Sequence, residues 1–381
     1  MSKKALLILF LTLFLSKNIE AQVPIIGDSL QLEIANWNLN WLGKIGYGPS
    51  NEKLQQANII DVINKSEIDI WAFCEVSNNL VFDSMMQQLP EFAYSLCNYL
   101  PDQKIAIIYK KSLFKLLKSE LLGTQQKDSF STLRFPFQVT LKPLVPMGID
   151  TLFLIALHLK ANIGTSTELL NAYNSRIRSA QWLKMYLNQQ HSKHFCMVLG
   201  DWNDDIDESI YNGLPSPFAP MLDLDFDFTF VTKTFSDNHI GTTTSYPEAI
   251  DHQFISKPLK AYYVSNSTKL FALNQYIPNY SSTTSDHYPV FSSFSRHSST
   301  VFSSRTTQKP LVFINSSLNQ LIITREDVEG QIKIYNMQGS CILDQPIIAS
   351  QSLDISRLPK GYYMVSMIIN QGIITQKIVL F

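Results

Sequence analysis

The sequence predicts a layered α/β (α+β) domain followed by a small β-sandwich. Three observations lead there. Between residues about 30 and 295, short apolar β-type runs alternate with segments of helical periodicity, the pattern of sheets covered by helices. Hydrophobic residues make up 45% of the chain and charged residues 17%, enough apolar material for a real core, which excludes disordered and collagen-like chains. Past residue 310 the helical periodicity disappears and only short β-type runs separated by turn signals remain. At about 150 residues per domain, 381 residues fit two or three domains.

Taken in order, the chain opens with Lys3 and Lys4, an apolar run over Ala5–Leu15 and a small residue, Ala21, before Gln22. That is a secretory signal peptide over residues 1–21. No later segment approaches the roughly 20 apolar residues of a membrane helix. The balance of 31 basic and 32 acidic residues gives a net charge of −1, so contact with a polyanion would have to be local. Cys74, Cys97, Cys196 and Cys341 are too few and too scattered for a disulfide framework or a zinc-finger spacing. The five tryptophans read as core or cleft wall rather than as a base-stacking platform.

The middle region, residues 22–295, carries the polar residues of interest. Leu32–Trp37 runs into Asn38, Ile68–Cys74 into Glu75, Leu152–Leu157 into His158, and Phe195–Gly200 into Asp201 and Asn203. Ile250 leads into Asp251, and Ser285-Asp286-His287 follows near the end of the region. Helices are predicted over about Glu52–Asn64 and after Thr165, which with Glu168 forms a capping box. Apolar or aromatic positions Leu170, Tyr173, Ile177, Ala180, Leu183 and Leu187 then recur at helical spacing. Singly, each polar residue has an ordinary explanation as a turn residue, a cap or a core histidine. Together, at the ends of successive apolar runs, they predict one cleft, because side chains at strand ends of layered α/β folds converge.

The residue types fix the chemistry such a cleft could do. A hard carboxylate beside amide oxygens suits Mg²⁺, whereas zinc would want a Cys/His cluster. Two histidines with acidic or amide neighbours suit proton transfer near neutral pH, and a carboxylate behind one of them would fix its tautomer. A metal, an oriented histidine and Asn donors together can drive attack of water on phosphorus.

The ordered set "WNLN" (37–40), "CEV" (74–76), "LHLK" (157–160), "GDWND" (200–204), "IDHQFIS" (250–256) and "SDHYPV" (285–290) resembles the endonuclease/exonuclease/phosphatase superfamily, which includes pancreatic-type deoxyribonucleases. The resemblance implies a four-layer α/β sandwich of two mixed sheets. It also implies roles: Asn38, Glu75 and Asp286 for the metal, Mg²⁺ or Mn²⁺, with an accessory Ca²⁺ left open. Asp251 would orient His287, Asp201 would orient or deprotonate the attacking water, and Asn203 would donate to phosphoryl oxygens. His287 would be the general base or electrostatic partner on the attacking side, His158 would contact the scissile phosphate and protonate the leaving oxygen, and Arg134 would bind phosphate. Two departures bear on substrate. "DQKIAIIYK" (102–110) lacks the Tyr of abasic-site enzymes and Asn40 replaces an acid, so an abasic-site repair role does not fit. Gln103, next to Asp102, stands where pancreatic-type enzymes place a carboxylate beside the first histidine, which weakens His158 as a proton donor. The expected activity is hydrolysis of DNA, or RNA, as an endonuclease; a phospholipid or small-molecule phosphodiesterase or phosphatase is the alternative, and a non-catalytic binding module the third reading.

Residues 296–310 are rich in Ser and Thr and read as a linker. In 311–381, "GQIKIYNMQGSCI" (330–342), "LDISRLPKGYYMVSM" (353–367) and a closing "TQKIVLF" resemble the C-terminal sorting domain of the bacterial type IX secretion system. That resemblance implies the type IX machinery as partner and export through the periplasm across the outer membrane, to the surface or the medium.

Overall fold

The computed structural model describes residues 22–99, 102–296, 312–315, 320–323, 330–336, 339–347, 352–369 and 372–380. The expected signal peptide and, apart from Arg296, the expected linker lie outside them. The chain forms two compact units, 1–299 and 300–381.

In the first unit the strands are β1 Gln31–Leu42, β2 Ile70–Val76, β3 Phe92–Leu96, β4 Lys104–Lys110, β5 Phe114–Leu121, β6 Phe137–Pro143, β7 Leu152–His158, β8 Phe195–Asp201, β9 Phe228–Phe230, β10 Asp251–Ser256, β11 Lys269–Leu270 and β12 Val290–Ser295. The longer helices are α1 Glu52–Ser66, α2 Asn79–Gln87 and α3 Ser166–Gln190. One six-stranded sheet runs β11-β12-β1-β2-β4-β3 and the other β5-β6-β7-β8-β10-β9. The pairs β1–β2 and β7–β8 are parallel, while β12 returns antiparallel to β1 and β10 antiparallel to β8.

Period-two alternation sends neighbouring strand residues to opposite faces, and both faces are used. Leu32, Ile34, Ile70 and Ile105 meet Leu154, Met197 and Leu199 between the sheets. Ala35, Trp37, Trp71 and Phe73 turn outward under Ile59, Val62 and Phe82 of α1 and α2. On the far side, Ile155, Cys196 and Val198 pack under Ala180, Leu183 and Leu187 of α3. The result is the four-layer sandwich expected. All four cysteines are free.

The sheets are also tied by buried polar groups. Gln253 Nε2 on β10 donates to Asn36 Oδ1 and to the Val290 carbonyl, both at 3.0 Å. Gly200 on β8 has φ +130°, and a Cβ there would stand 2.2 Å from the Leu157 carbonyl oxygen of β7. The close approach that sets Asp201 in place therefore admits only glycine.

Three details differ from the sequence reading. Strand β1 continues four residues past Asn38, to Leu42. Asp251 opens a strand instead of following one; because β10 runs against β8, its beginning lies at the same edge as the end of β8. The capping box at Thr165 is present, but the N-terminal half of α3 buries Ala172, Ser175, Arg176 and Ser179, while Leu170 is exposed. The cause is polar packing: Ser175 and Ser179 hydroxyls donate to the Ser129 carbonyl at 3.0 and 2.6 Å.

The second unit comprises β13 Val312–Asn315, β14 Gln320–Ile323, β15 Gly330–Asn336, β16 Cys341–Ile347, β17 Ser352–Asp354, β18 Gly361–Ile369 and β19 Gly372–Leu380. Sheets β13-β14-β17 and β16-β15-β18-β19 share a core of Leu321, Ile332, Ile334, Leu353, Val365 and Met367. Asp344, Gln345 and Pro346 interrupt the apolar pattern of β16, which its place at a sheet edge tolerates.

Two predictions follow from this packing. Gly200→Ala should lower the stability of the first unit by about 2 kcal/mol or more. All tryptophans lie in that unit, so tryptophan fluorescence in a urea titration reports on it; an unchanged midpoint would contradict the packing argument. At the far end of β1, burial and then Asp69 raise the Glu33 carboxyl to about 7, and its Oε1 has no hydrogen-bond partner. The folded form therefore holds a proton that the unfolded chain releases near 4.5. The carboxyl's favourable contribution is complete below that value and is lost as pH rises through about 7. Glu33→Gln should accordingly be the more stable form at pH 8, by roughly 1 kcal/mol, and should show no such gain at pH 4.

Candidate active site

Strands β1, β2, β7 and β8 end at one edge of the sandwich, and β10 begins there. Asn38, Glu75, His158, Asp201 and Asp251 thereby come together, and the 284–287 segment closes over them. That segment is held by buried bonds. Gln55 Nε2 of α1 donates to the carbonyls of Leu39 at 2.7 Å and Thr284 at 3.0 Å. Ser285 Oγ donates to the Asn38 carbonyl at 2.6 Å and accepts from the His287 N–H at 3.0 Å. The cleft at this edge, lined by Glu75, His158, Asp201, Asp286 and His287 among others, has a volume of about 540 Å³.

Glu75 is aimed by the backbone. It has φ +62° within β2, and the register shifts around it against both β1 and β4. A non-glycine residue in this region costs on the order of 1 kcal/mol, held here by the flanking strands. Asn203 likewise has φ +55°; its N–H donates to Asp201 Oδ1 at 3.0 Å and its Nδ2 to the Leu159 carbonyl at 3.1 Å.

Asp201 is the centre of the arrangement. Its Oδ2 accepts from Asn38 Nδ2 at 3.0 Å and lies 3.6 Å from His158 Nε2 and 3.9 Å from His287 Nε2. Asn38 Nδ2 also donates to Glu75 Oε1 at 3.1 Å, while its Oδ1 accepts the Asn40 N–H at 3.0 Å. In this arrangement Asn38 clamps the two carboxylates together. Burial, above all, raises the proton affinity of both Asp201 and Glu75 above the usual carboxylate range.

The two histidines are driven apart. Burial works against a charge on His287, but Asp251 and Asp201 outweigh it and hold the ring protonated well above the ordinary histidine value. Asp251 Oδ2 sits 2.8 Å from His287 Nδ1 and accepts the Thr242 hydroxyl at 2.8 Å. His158 is pushed well below that value by burial and then by the Arg134 and His287 charges. The Arg134 guanidinium Nη1 lies 2.9 Å from its Nδ1 and 2.8 Å from its Nε2. His158 is thus a neutral hydrogen-bonding group, not a stored proton.

Arg134 is no surface residue. It is buried in the cleft wall and donates to Thr132 Oγ1, Gln103 Oε1 and the Leu159 carbonyl at 3.1, 2.7 and 2.9 Å, leaving one Nη2 hydrogen for a ligand. Asp286 lines the cleft half-buried. Every residue singled out in the sequence is therefore in or beside one cleft. The sequence reading missed the support beneath it. Arg176 Nε pairs with Asp204 Oδ2 at 2.9 Å, both fully buried, and its Nη1 donates to the Lys160 carbonyl at 2.7 Å. This ties the loops after β7 and β8 together; Asp204, adjacent to Asn203 in "GDWND", was the available signal.

A divalent cation fits this chemistry. Glu75 and Asp286 both line the cleft, and burial and the Asp286 charge both raise the proton affinity of Glu75, whereas the trio Asp201, Asp251 and His287, within 4.8 Å of one another, includes a protonated ring that has no lone pair for a metal. The Asp251–His287 pair occupies one side, so the oxygen donors left for a hard ion are Glu75 and Asp286, with Asp201 beside them.

The comparisons agree with this geometry. Residues 35–287 match the Endonuclease/Exonuclease/phosphatase family, and residues 312–380 match the secretion system C-terminal sorting domain, the type IX tail, which implies export to the cell surface or the medium. No curated protein matches the chain. Among solved structures, D. rerio TDP2 complexed with single strand DNA product is 15% identical with a TM-score of 0.53, covering 70% of this chain and 99% of that one. An endonuclease/exonuclease/phosphatase from Beutenbergia cavernae DSM 12333 is 12% identical with a TM-score of 0.52, covering 92% and 100%. An AP endonuclease from Archaeoglobus fulgidus is 15% identical with a TM-score of 0.51, covering 69% and 99%. At these identities the likeness is one of fold. The family match spans most of the first unit with every motif in its cleft, and the chain belongs to the endonuclease/exonuclease/phosphatase family, whose enzymes are phosphoester hydrolases that typically depend on a divalent metal.

Proposed function

We propose that the protein is an exported, metal-dependent phosphodiesterase that hydrolyses nucleic acid, DNA foremost, as an endonuclease. The observation that carries this is the placement of Asp201 Oδ2 between Asn38 and the rings of His158 and His287, the latter backed by Asp251. The signal peptide at 1–21 and the tail from 311 would take the chain through the periplasm and across the outer membrane by the type IX machinery.

In the proposed reaction Asp201, whose burial raises its proton affinity, takes a proton from the attacking water while Asn38 and the Asn203 N–H fix its orientation. The His287 imidazolium, kept charged by Asp251, stabilises negative charge gathering on the phosphoryl oxygens. Asn203 and Arg134 each keep one side-chain hydrogen free for those oxygens. His158 donates a hydrogen bond without changing charge. Glu75 and Asp286 would hold Mg²⁺ or Mn²⁺, which when bound polarises the phosphate and neutralises the leaving oxygen.

The full chain with Mg²⁺ should cut circular DNA, offered both as single strands and as supercoiled plasmid, in at least one of the two forms, and EDTA should abolish this until Mg²⁺ or Mn²⁺ is restored. His287→Ala should lower kcat by about 10²–10⁴ with the fold intact. Glu75→Gln should raise the Mg²⁺ concentration needed for half-maximal rate more than it changes substrate KM. Single-stranded circles, plasmid and RNA all left intact by folded, metal-binding protein would sink the nuclease reading.

A further inference from the structure

The segment after Asn38 is a built feature that the reaction above does not use. Residues 40–48 curl through positive φ at Asn40 and Trp41, +49° and +59°. The Lys44 N–H donates to the Trp41 carbonyl at 2.9 Å and the Tyr47 N–H to the Lys44 carbonyl at 3.1 Å. Gly48 closes the curl, for a Cβ there would stand 2.2 Å from the Asn40 carbonyl oxygen. The Trp41 N–H donates to Glu75 Oε2 at 2.9 Å, so the curl is fastened to the catalytic carboxylates. Its product is a pair of rings, Trp41 and Tyr47, 4.7 Å between centroids and 35° apart. Trp41 lines the cleft and Tyr47 is 52% exposed. Trp37, Trp71 and Trp202, by contrast, are wholly buried.

The cleft offers few free cations to a substrate held mainly by its phosphates. Lys160 and Arg134 are the basic residues that line it. Arg134 is mostly engaged by the protein, and nearby Lys44 is ion-paired with Asp102. A duplex is bound chiefly by neutralising many phosphates. A single strand can instead be held by stacking its bases on aromatic rings.

We infer that Trp41 and Tyr47 form a stacking platform for a base beside the scissile phosphate, so that the substrate is unpaired nucleic acid and not duplex. This rests on the nuclease reading and narrows it. Bases within a duplex are stacked on each other and cannot reach the rings, whereas an unpaired base can.

The test compares one oligonucleotide as a labelled single strand and annealed to its complement, cleaved by the full chain with Mg²⁺. The single strand should be cut with at least a ten-fold higher kcat/KM. Tyr47→Ala and Trp41→Ala should each raise KM for the single strand about ten-fold with kcat within two-fold, and Trp41→Phe should restore it. A merely structural role would lower kcat and leave Trp41→Phe impaired. Duplex cut as well as single strand, or an unchanged KM in Tyr47→Ala, would overturn the platform while leaving the nuclease intact. Failure of the unaltered protein to cut either form would remove both readings, and hydrolysis of sphingomyelin vesicles in that case would reassign the rings to a lipid surface.

Discussion

Mutual repulsion among carboxylates confined to one buried edge is the constraint around which this protein is arranged. Glu75 and Asp201 share the Asn38 amide, Asp201 lies within reach of Asp251, and there is little water to screen them. Such a group survives burial only if hydrogen bonds and opposite charge reach each member. Asn38 spans two of them, the Asn203 N–H takes a third oxygen, and the His287 imidazolium answers Asp251. The rest of the domain keeps these partners from drifting: the pinched β7–β8 contact at Gly200, the register shifts around Glu75, and the Arg176–Asp204 pair below the cleft.

How much of this the sequence disclosed depended on the kind of signal. Apolar runs that stop at Asn38, Glu75, His158 and Asp201 are visible without coordinates, because a buried strand and its polar end differ in residue type. The capping box at Thr165 is a local pattern and was equally legible. Arg176 was not, since a charged residue amid helical periodicity reads as solvated unless its partner across the fold is known. Nor was the left-handed turn at Glu75, which depends on strand register and not on the residue itself. The Trp41–Tyr47 pair was hidden for a similar reason, as only the curl of residues 40–48 separates Trp41 from the core tryptophans.

The opposite protonation of the two histidines shows how environment assigns roles to identical side chains. Both are buried, which alone would leave both neutral. His287 is hydrogen-bonded to Asp251 and its proton affinity is raised, whereas His158, although 3.6 Å from Glu75 and Asp201, is desolvated and meets the Arg134 guanidinium, and its proton affinity is lowered. The residue that Arg134 meets on its other side is an amide, Gln103.

Strand β12 is paired with β1 across nearly the full length of the first unit, and His287 lies just ahead of it. The candidate edge is thus assembled from both extremities of the first unit, and His287 is the last of its groups in sequence. A nascent or still-unfolded chain has no working cleft, because loop closure over some 250 residues precedes its completion. The cleft therefore exists only where the two ends of that unit have met: a chain held unfolded, or cut short before β12, carries the same polar residues without bringing them together.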